Sequence, residues 1–471
     1  MALSNSRPQR TAMLCAMYFA QGVPWGFMVV ALMAYLAEQG IGDREIGDLT
    51  KIVLVPWTFK LVWGPLIDTL TICSMGRRRP WIMGAELLMA VSLLGILMLG
   101  DLTHNLRLLG WMFFIHNCFA SLQDVATDAL AVDILPPNEQ GKMNGFMWGS
   151  KLIGKAIGAS VMAMVIAAWG LPAAVLAQFI ILLIIMMFPI YMLERPGDKR
   201  FPWSRMKPLA VAGSAPAADR VDGENPYASP EEIELTGEDA ATSQQVHAAT
   251  SSVRSPLHVL KDLCRAFSLV TTLAFLAFGL THAIGWGIVE VITKPLYTQH
   301  LGWTFVQVAN VTGLAVFTEM FGALLGGFLA DRFGRRLVMV AGFGCYGLLH
   351  AIFAALPELW SETWFAAAYL FLSPGVLALG SVGFLSMGMR ISWTKASATM
   401  FTIYMTVSNI AHVIGNGSVG LLREDWELSY AQTFFVAAVV QWVPLLLLTC
   451  INPDHVDAAR DRELLAAESV T

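Results

Sequence analysis

The sequence predicts an all-α membrane protein with twelve transmembrane helices in two six-helix bundles. Three observations carry that reading. The 471 residues are 56% hydrophobic and only 14% charged, with a mean hydropathy of +0.59, outside the range of ordinary soluble domains. Twelve apolar stretches are each long enough to cross a bilayer, which takes about 20 residues. One polar segment divides them six and six.

In chain order the stretches lie near 11–37, 46–70, 80–100, 107–135, 144–169, 171–193, 263–298, 303–330, 337–356, 363–390, 397–420 and 428–451. The first follows Arg7 and Arg10 but runs far past the core of a signal peptide, so it is expected to be an uncleaved span. From about Lys199 to Ser255 the apolar pattern gives way to Pro, Ala, Ser, Glu and Thr, a composition with too little apolar surface to pack. The expected organisation is therefore a bundle at 1–196, a disordered cytoplasmic linker at 197–260, a second bundle at 261–455 and a cytoplasmic tail at 456–471.

Basic residues orient the array. Arg7, Arg10, Arg77, Arg78, Arg79, Lys142, Arg332, Arg335, Arg336, Arg390 and Lys395 fall on one side, whereas the opposite loops hold only Arg44, Arg107 and Arg423. The positive-inside rule then places both termini in the cytoplasm. The net charge of −5 comes largely from the acidic linker and tail and suggests no nucleic-acid partner. Six cysteines, with no CxxC spacing, give neither a disulfide framework nor a metal site. No cofactor is expected.

Charge inside a bilayer is costly, about 2.5–3.5 kcal/mol per group on insertion scales, so intramembrane ionisable residues are candidate functional sites. The fourth and fifth stretches hold Asp124, Asp128, Lys151 and Lys155 around a polar turn at 136–142. As an antiparallel hairpin they would set Asp124 against Lys155 and Asp128 against Lys151, a two-rung ladder on one pair of facing stripes. The ladder either locks two helices or lets one Asp, preferably Asp128, exchange its Lys for a proton. Lys60 either pairs with Asp124 or meets an anionic solute.

Tyr18, Gln21 and Trp25 share one face of the first stretch, and Gln123 precedes Asp124. His282, Trp286, Glu290 and Lys294 form a slowly winding stripe in the seventh, where Glu290 and Lys294 can satisfy each other locally. Asn409, His412 and Asn416 repeat the pattern in the eleventh, as route or as interhelical hydrogen bonds. Glu86 and Glu319 have no partner that the sequence identifies, and His116 and His350 read as packing residues.

A weak internal repeat links the halves. Gly64-Pro65-Leu66-Ile67-Asp68 followed by Gly76-Arg77-Arg78-Arg79 corresponds to Gly327-Phe328-Leu329-Ala330-Asp331-Arg332-Phe333-Gly334-Arg335-Arg336, offset by 263 residues at both Gly and Asp. The second copy resembles the G-x-x-x-D-R-x-G-R-R loop signature of the major facilitator superfamily. That resemblance implies two halves rocking about a central site, with spans one, four, seven and ten lining the cavity; Tyr18, Gln21, Trp25, Lys60, Gln123, His282, Trp286, Glu290 and Lys294 are then the expected substrate-cavity residues. Asp68, Asp331, Arg332, Arg335 and Arg336, with Asp133 set against Arg77–Arg79, are then expected to hold the cytoplasmic side closed. Residues 15–195 are similar to the AmpG-type muropeptide permease and acetyl-CoA transporter group. The carrying motifs are Phe19-Ala20-Gln21-Gly22-Val23-Pro24, Lys60 through Asp68, Gly76 through Arg79, and Gln123-Asp124, Asp128 and Asp133-Ile134-Leu135-Pro136. The second half matches only generic features. Muropeptide permeases of this type commonly carry two further spans, whereas this chain turns polar after Asn452.

The resemblance implies a monomeric proton-coupled symporter of the inner (plasma) membrane that carries a small organic solute, foremost an anhydro-muropeptide. A siderophore importer and an acetyl-CoA-type carrier are the alternatives within the class. A sensor that binds without accumulating solute belongs to another class, and flux discriminates it. An intramembrane transferase is disfavoured, since HExxH, GxSxG and Walker A motifs are absent; no enzyme is expected.

Overall fold

The computed structural model describes residues 3, 6–70, 75–100, 102–201, 263–392 and 397–459. Most of the expected linker and tail lie outside these residues. Backbone polar groups in a bilayer have no water to bond, so a chain this apolar resolves into helices. The described residues form twelve spans: α1 (Arg7–Glu38), α2 (43–69), α3 (Arg79–Met98), α4 (Leu106–Ile134), α5 (137–169), α6 (171–191), α7 (Val270–His300), α8 (Phe305–Phe333), α9 (Arg335–Ala355), α10 (Thr363–Ile391), α11 (Ser397–Gly420) and α12 (Tyr430–Cys450). The spans fall six before and six after the segment at 202–262, the expected fold class.

Local chemistry sets the ends. Pro8, Pro80 and Pro137 occupy first-turn positions in α1, α3 and α5, where a missing N–H costs nothing. Capping boxes, Thr304 with Gln307 and Ser429 with Gln432, start α8 and α12. Gly170, at φ +81°, turns α5 into α6, and Gly334, at φ +89°, turns α8 into α9; a side chain at either would be strained. On α8, Phe317, Phe321, Leu324 and Phe328 form an outward stripe 62–74% exposed, tolerable only against lipid.

The hairpin expected between the fourth and fifth spans does not form. α5 packs instead along α1, while α4 packs on α3, α2 and α1. Small residues make the α1–α5 contact: a Cβ on Gly22 would stand 2.8 Å from the Lys155 amide nitrogen, and one on Gly26 would stand 2.8 Å from that of Ala159. α1 therefore lies between the two helices that carry the charges.

The halves meet chiefly through α2 with α11 and α5 with α8. At the end opposite the termini, the far end, one apolar core runs through both halves, from Val29–Leu36 to Ile288–Tyr297. Toward the termini, Phe275, Phe278, Phe343, Phe384 and Tyr404 form a separate core within the second half. Hydrogen bonds and ion pairs join the halves from the level of Lys155 outward to the far end. These contacts close the central cleft at the far end.

Candidate functional site

Asp124 is the hub of the first half. Its side chain is 3% exposed, Lys60 of α2 donates to its Oδ2, and Lys151 Nζ stands 3.6 Å from its Oδ1. Of the two readings of Lys60, the structure has it paired with Asp124. Two lysines on one buried carboxylate satisfy it from both sides, as a buried ion requires. Lys151 also lies 4.7 Å from the centre of the Trp57 ring, and Trp57 meets Trp25 edge-to-face at 5.3 Å.

The ladder is corrected by one rung, for the reason just given: with α1 between α4 and α5, the register of a direct hairpin does not apply. Lys151 serves Asp124, not Asp128. Lys155 crosses to the second half and bonds Glu319 at 2.8 Å, giving Glu319 the partner the sequence left unnamed. Asp128 accepts a hydrogen bond from the Tyr18 hydroxyl, and no ion pair reaches it among the described residues, although Lys60 and Lys151 lie within electrostatic reach. A cavity of about 270 Å³ begins at Tyr18 and Asp128 and runs past Ala131, Val132, Leu135 and Asn144 toward the termini. The one carboxylate of the set without a lysine bond is the one on the open route.

Beneath it a polar chain is sealed in the bundle. Gln21 donates to Gln123 at 2.6 Å, and Gln123 donates to Glu86 at 3.2 Å and to the Met17 carbonyl. Glu86 is fully buried with Oε1 unpartnered. Gln21 and Gln123 are thus packed inside the half, not exposed to the cavity as expected.

In the second half, Glu290 and Lys294 do not simply pair. The Lys294 ammonium donates to the Glu290 backbone carbonyl, while the Glu290 carboxylate meets His412 Nε2 at 2.8 Å. Trp286 stacks on the His412 ring, centroids 3.8 Å apart and planes 24° apart. His282 is not in the cavity: it is boxed by Phe278, Phe343 and Phe384, because α7 breaks between Gly279 and Ile284 and turns the ring inward. His116 and His350 are packed, against Ser92 and Tyr369. Asn416 is sealed with both amide atoms unpartnered among the described residues, and Asn409 is half-buried.

The bonds described for Arg78, Arg79 and Arg335 lie within their own halves. Arg78 Nε meets Asp133 at 2.8 Å. Arg79, fully buried, donates to the carbonyls of Pro189, Met75, Lys199 and Arg200, so it caps the last turn of α6. Glu194 accepts from the backbone amides of Arg78 and Arg79. Arg335 donates to Ser386 at 2.6 Å, and Asp331, Arg332 and Arg336 are exposed with Arg77 half-buried. The side chain of Asp68 lies outside the described residues.

The closing contacts lie at the far end and were missed. Asp43 meets Arg423 at 3.0 Å and Tyr430 at 3.2 Å, and Arg44 meets Glu424 at 2.7 Å and Asp425 at 2.5 Å. The signal was present: adjacent Asp43-Arg44 and Arg423-Glu424-Asp425 are complementary and sit in loops otherwise almost free of basic residues.

Residues 13–416 and 273–463 match the Major Facilitator Superfamily. An anhydromuropeptide permease of Escherichia coli (strain K12) is 25% identical over 449 residues, covering 94% of this chain and 79% of that protein. The nucleoside transporter NupG aligns with a TM-score of 0.62 at 14% identity, covering 96% of this chain and 99% of that one. A D-xylose-proton symporter aligns at 0.63 and 12% identity, covering 94% and 96%. With twelve spans in two halves around a charged central cleft, the chain belongs to the Major Facilitator Superfamily, a transporter and not an enzyme.

Proposed function

We propose that this chain is a proton-coupled symporter of the inner membrane, with both termini cytoplasmic, and that its solute is a cell-wall-derived anhydro-muropeptide. The observation that carries the proposal is Asp128, the carboxylate that opens on the cavity and is bonded by a tyrosine instead of a lysine. A carboxylate relieved of a cation partner gains from taking a proton. The groups converging on the centre are four carboxylates, Asp124, Asp128, Glu290 and Glu319, and four ammonium groups, Lys60, Lys151, Lys155 and Lys294. Ionised, that set is neutral. One proton on Asp128 makes it positive by one charge and so suits it to one negative charge on the solute.

An anhydro-muropeptide joins sugar rings to a charged peptide. Trp25 and the face of Trp286 turned from His412 offer flat apolar surface for rings, beside the positive charge that Lys60 and Lys151 gather around Asp124. The relative named as an anhydromuropeptide permease supports this solute, and the fold neighbour named as a proton symporter supports this coupling. Proteoliposomes preloaded with unlabelled anhydro-muropeptide test it: labelled anhydro-muropeptide outside is expected to enter by counterflow without any imposed gradient. No counterflow of anhydro-muropeptide, with counterflow of a labelled ferric siderophore into siderophore-loaded vesicles, would instead assign the solute to the siderophore class.

A further inference from the structure

Four described histidines sit at membrane depth, and three are committed to their surroundings. His116 lies against the Met89 carbonyl and Ser92, His282 against the carbonyls of Phe278 and Gly279 inside its aromatic box, and His350 against Tyr369. The Nε2 atoms of His116 and His350 are sealed without a partner, so an added proton there would find no acceptor. His412 differs on every count. Its Nε2 meets Glu290, one ring face lies on Trp286, and its Nδ1 has no hydrogen-bond partner among the described residues, the side chain being 3% exposed.

An imidazolium in this position is held twice. The Glu290 carboxylate accepts a charge-assisted hydrogen bond from it, and the Trp286 face attracts its positive charge. Among the described residues, two lysines and two further polar groups face the pair. Lys294 from α7 and Lys155 from α5 lie within electrostatic reach of Glu290, and Glu319 from α8 neutralises Lys155. From α7, His282 lies within reach of His412, and from α9, Tyr346 lies within reach of Glu290. A proton arriving here shares the Glu290 carboxylate with Lys294, whose ammonium, among the described residues, bonds only the Glu290 backbone carbonyl.

The backbone beside His412 is also where the halves touch. A Cβ on Gly287 of α7 would stand 2.5 Å from the His412 carbonyl oxygen and 2.9 Å from the Asn416 amide nitrogen. One turn further, a Cβ on Gly47 of α2, in the first half, would stand 2.6 Å from the Asn416 carbonyl. This stretch of α11 is clamped between α7 of its own half and α2 of the other, so a change of charge on His412 acts at the α2–α11 contact.

We infer that His412, held between Glu290 and Trp286, is a second proton-binding site, on the second half of the transporter, whose ligand is the co-transported proton. In the loading step Nδ1 takes a proton from water while Nε2 keeps its hydrogen bond to Glu290, and release returns the proton from Nδ1; no other bond changes. The inference rests on the proton-symport reading above and adds a site to it, so that each half carries one protonatable group, Asp128 and His412.

The test needs no solute. An imidazolium quenches the emission of an indole on which it stacks, so tryptophan fluorescence of the full chain in lipid nanodiscs is followed as a function of pH. The wild type is expected to lose emission on acidification. H412N and W286F both lack that component, and E290Q, which removes the anion beside the ring, displaces its midpoint by about one pH unit or more. Superimposed titrations of the wild type and H412N, with H412N monodisperse and bound to lipid like the wild type, would overturn the assignment. An unchanged midpoint in E290Q would overturn the role of Glu290. Failure of anhydro-muropeptide to exchange leaves this result standing, so the two readings fail separately.

Discussion

Replacing Arg423 with Gln should release the far end of the transporter. Arg423 is on the second half and Asp43 on the first, with side chains 15% and 11% exposed and 3.0 Å apart. Arg423 also lies 3.6 Å from the centre of the Tyr430 ring, and Tyr430 donates to the same carboxylate. Removing one partner of a buried, hydrogen-bonded ion pair costs about 3–5 kcal/mol. That cost falls on the closed state alone, because separation of the halves returns Asp43 to water. Taking about 3 kcal/mol, and tenfold per 1.4 kcal/mol, R423Q raises the ratio of far-end-open to far-end-closed molecules by about a hundredfold. The neighbouring Arg44 is 40% exposed and its partners 43% and 52%. Exposed pairs contribute about 0–1 kcal/mol each, so R44Q should shift the ratio by no more than a few fold. In a background without the six native cysteines, spin labels at Gln39 and Glu427, both exposed and on opposite halves, read the ratio by electron–electron distance. The reasoning fails if R423Q leaves the distance distribution unchanged, or if R44Q moves it equally.

Three further outcomes follow from the same geometry. K60M removes the lysine that donates to Asp124 and should lower stability by about 3 kcal/mol; the charge-neutral pair K60M/D124N should recover much of it, as thermal unfolding in detergent would show. G22V places branched carbon where the Lys155 amide nitrogen already stands 2.8 Å from a Cβ and the Gly154 Cα 3.0 Å; these are backbone atoms that cannot rotate away, so the variant should fail to yield monodisperse protein, whereas G64V, with open space around it, should behave like the wild type. R79A leaves the carbonyls of Met75, Pro189, Lys199 and Arg200 without their shared donor and should expose the chain after Tyr191 to limited proteolysis well before the remainder of the first bundle.

The spans were legible because hydropathy depends on composition, which does not require knowing who packs on whom. Pairing across the membrane was harder to read. Equal spacing from a turn made Asp124 with Lys155 and Asp128 with Lys151 look like rungs, but that inference assumed that helices consecutive in sequence are neighbours. Gly22, Gly26, Gly154 and Gly158 admit α1 between them, and small residues in a membrane helix indicate close packing without naming the partner. Lys60 with Asp124 and Arg78 with Asp133 were foreseeable, since each joins residues brought together within one half. Bonds between halves, Lys155 with Glu319 and Asp43 with Arg423, depend on which side of the cleft is closed, and a sequence carries no conformation. His412 was noted for its spacing, but its carboxylate and its indole come from α7, so the pattern within α11 alone gave no hint of charge chemistry.

The central claim is that proton movement through Asp128 drives solute uptake. The direct measurement is accumulation of labelled anhydro-muropeptide in proteoliposomes holding the purified chain, with and without an imposed proton gradient that drives protons inward, for the wild type and D128N. The account predicts gradient-driven accumulation in the wild type, and in D128N its loss with counterflow exchange retained, because Asn keeps the shape and the Tyr18 contact but cannot carry a proton. Accumulation that is the same in D128N as in the wild type would contradict it and leave Asp128 a structural partner of Tyr18.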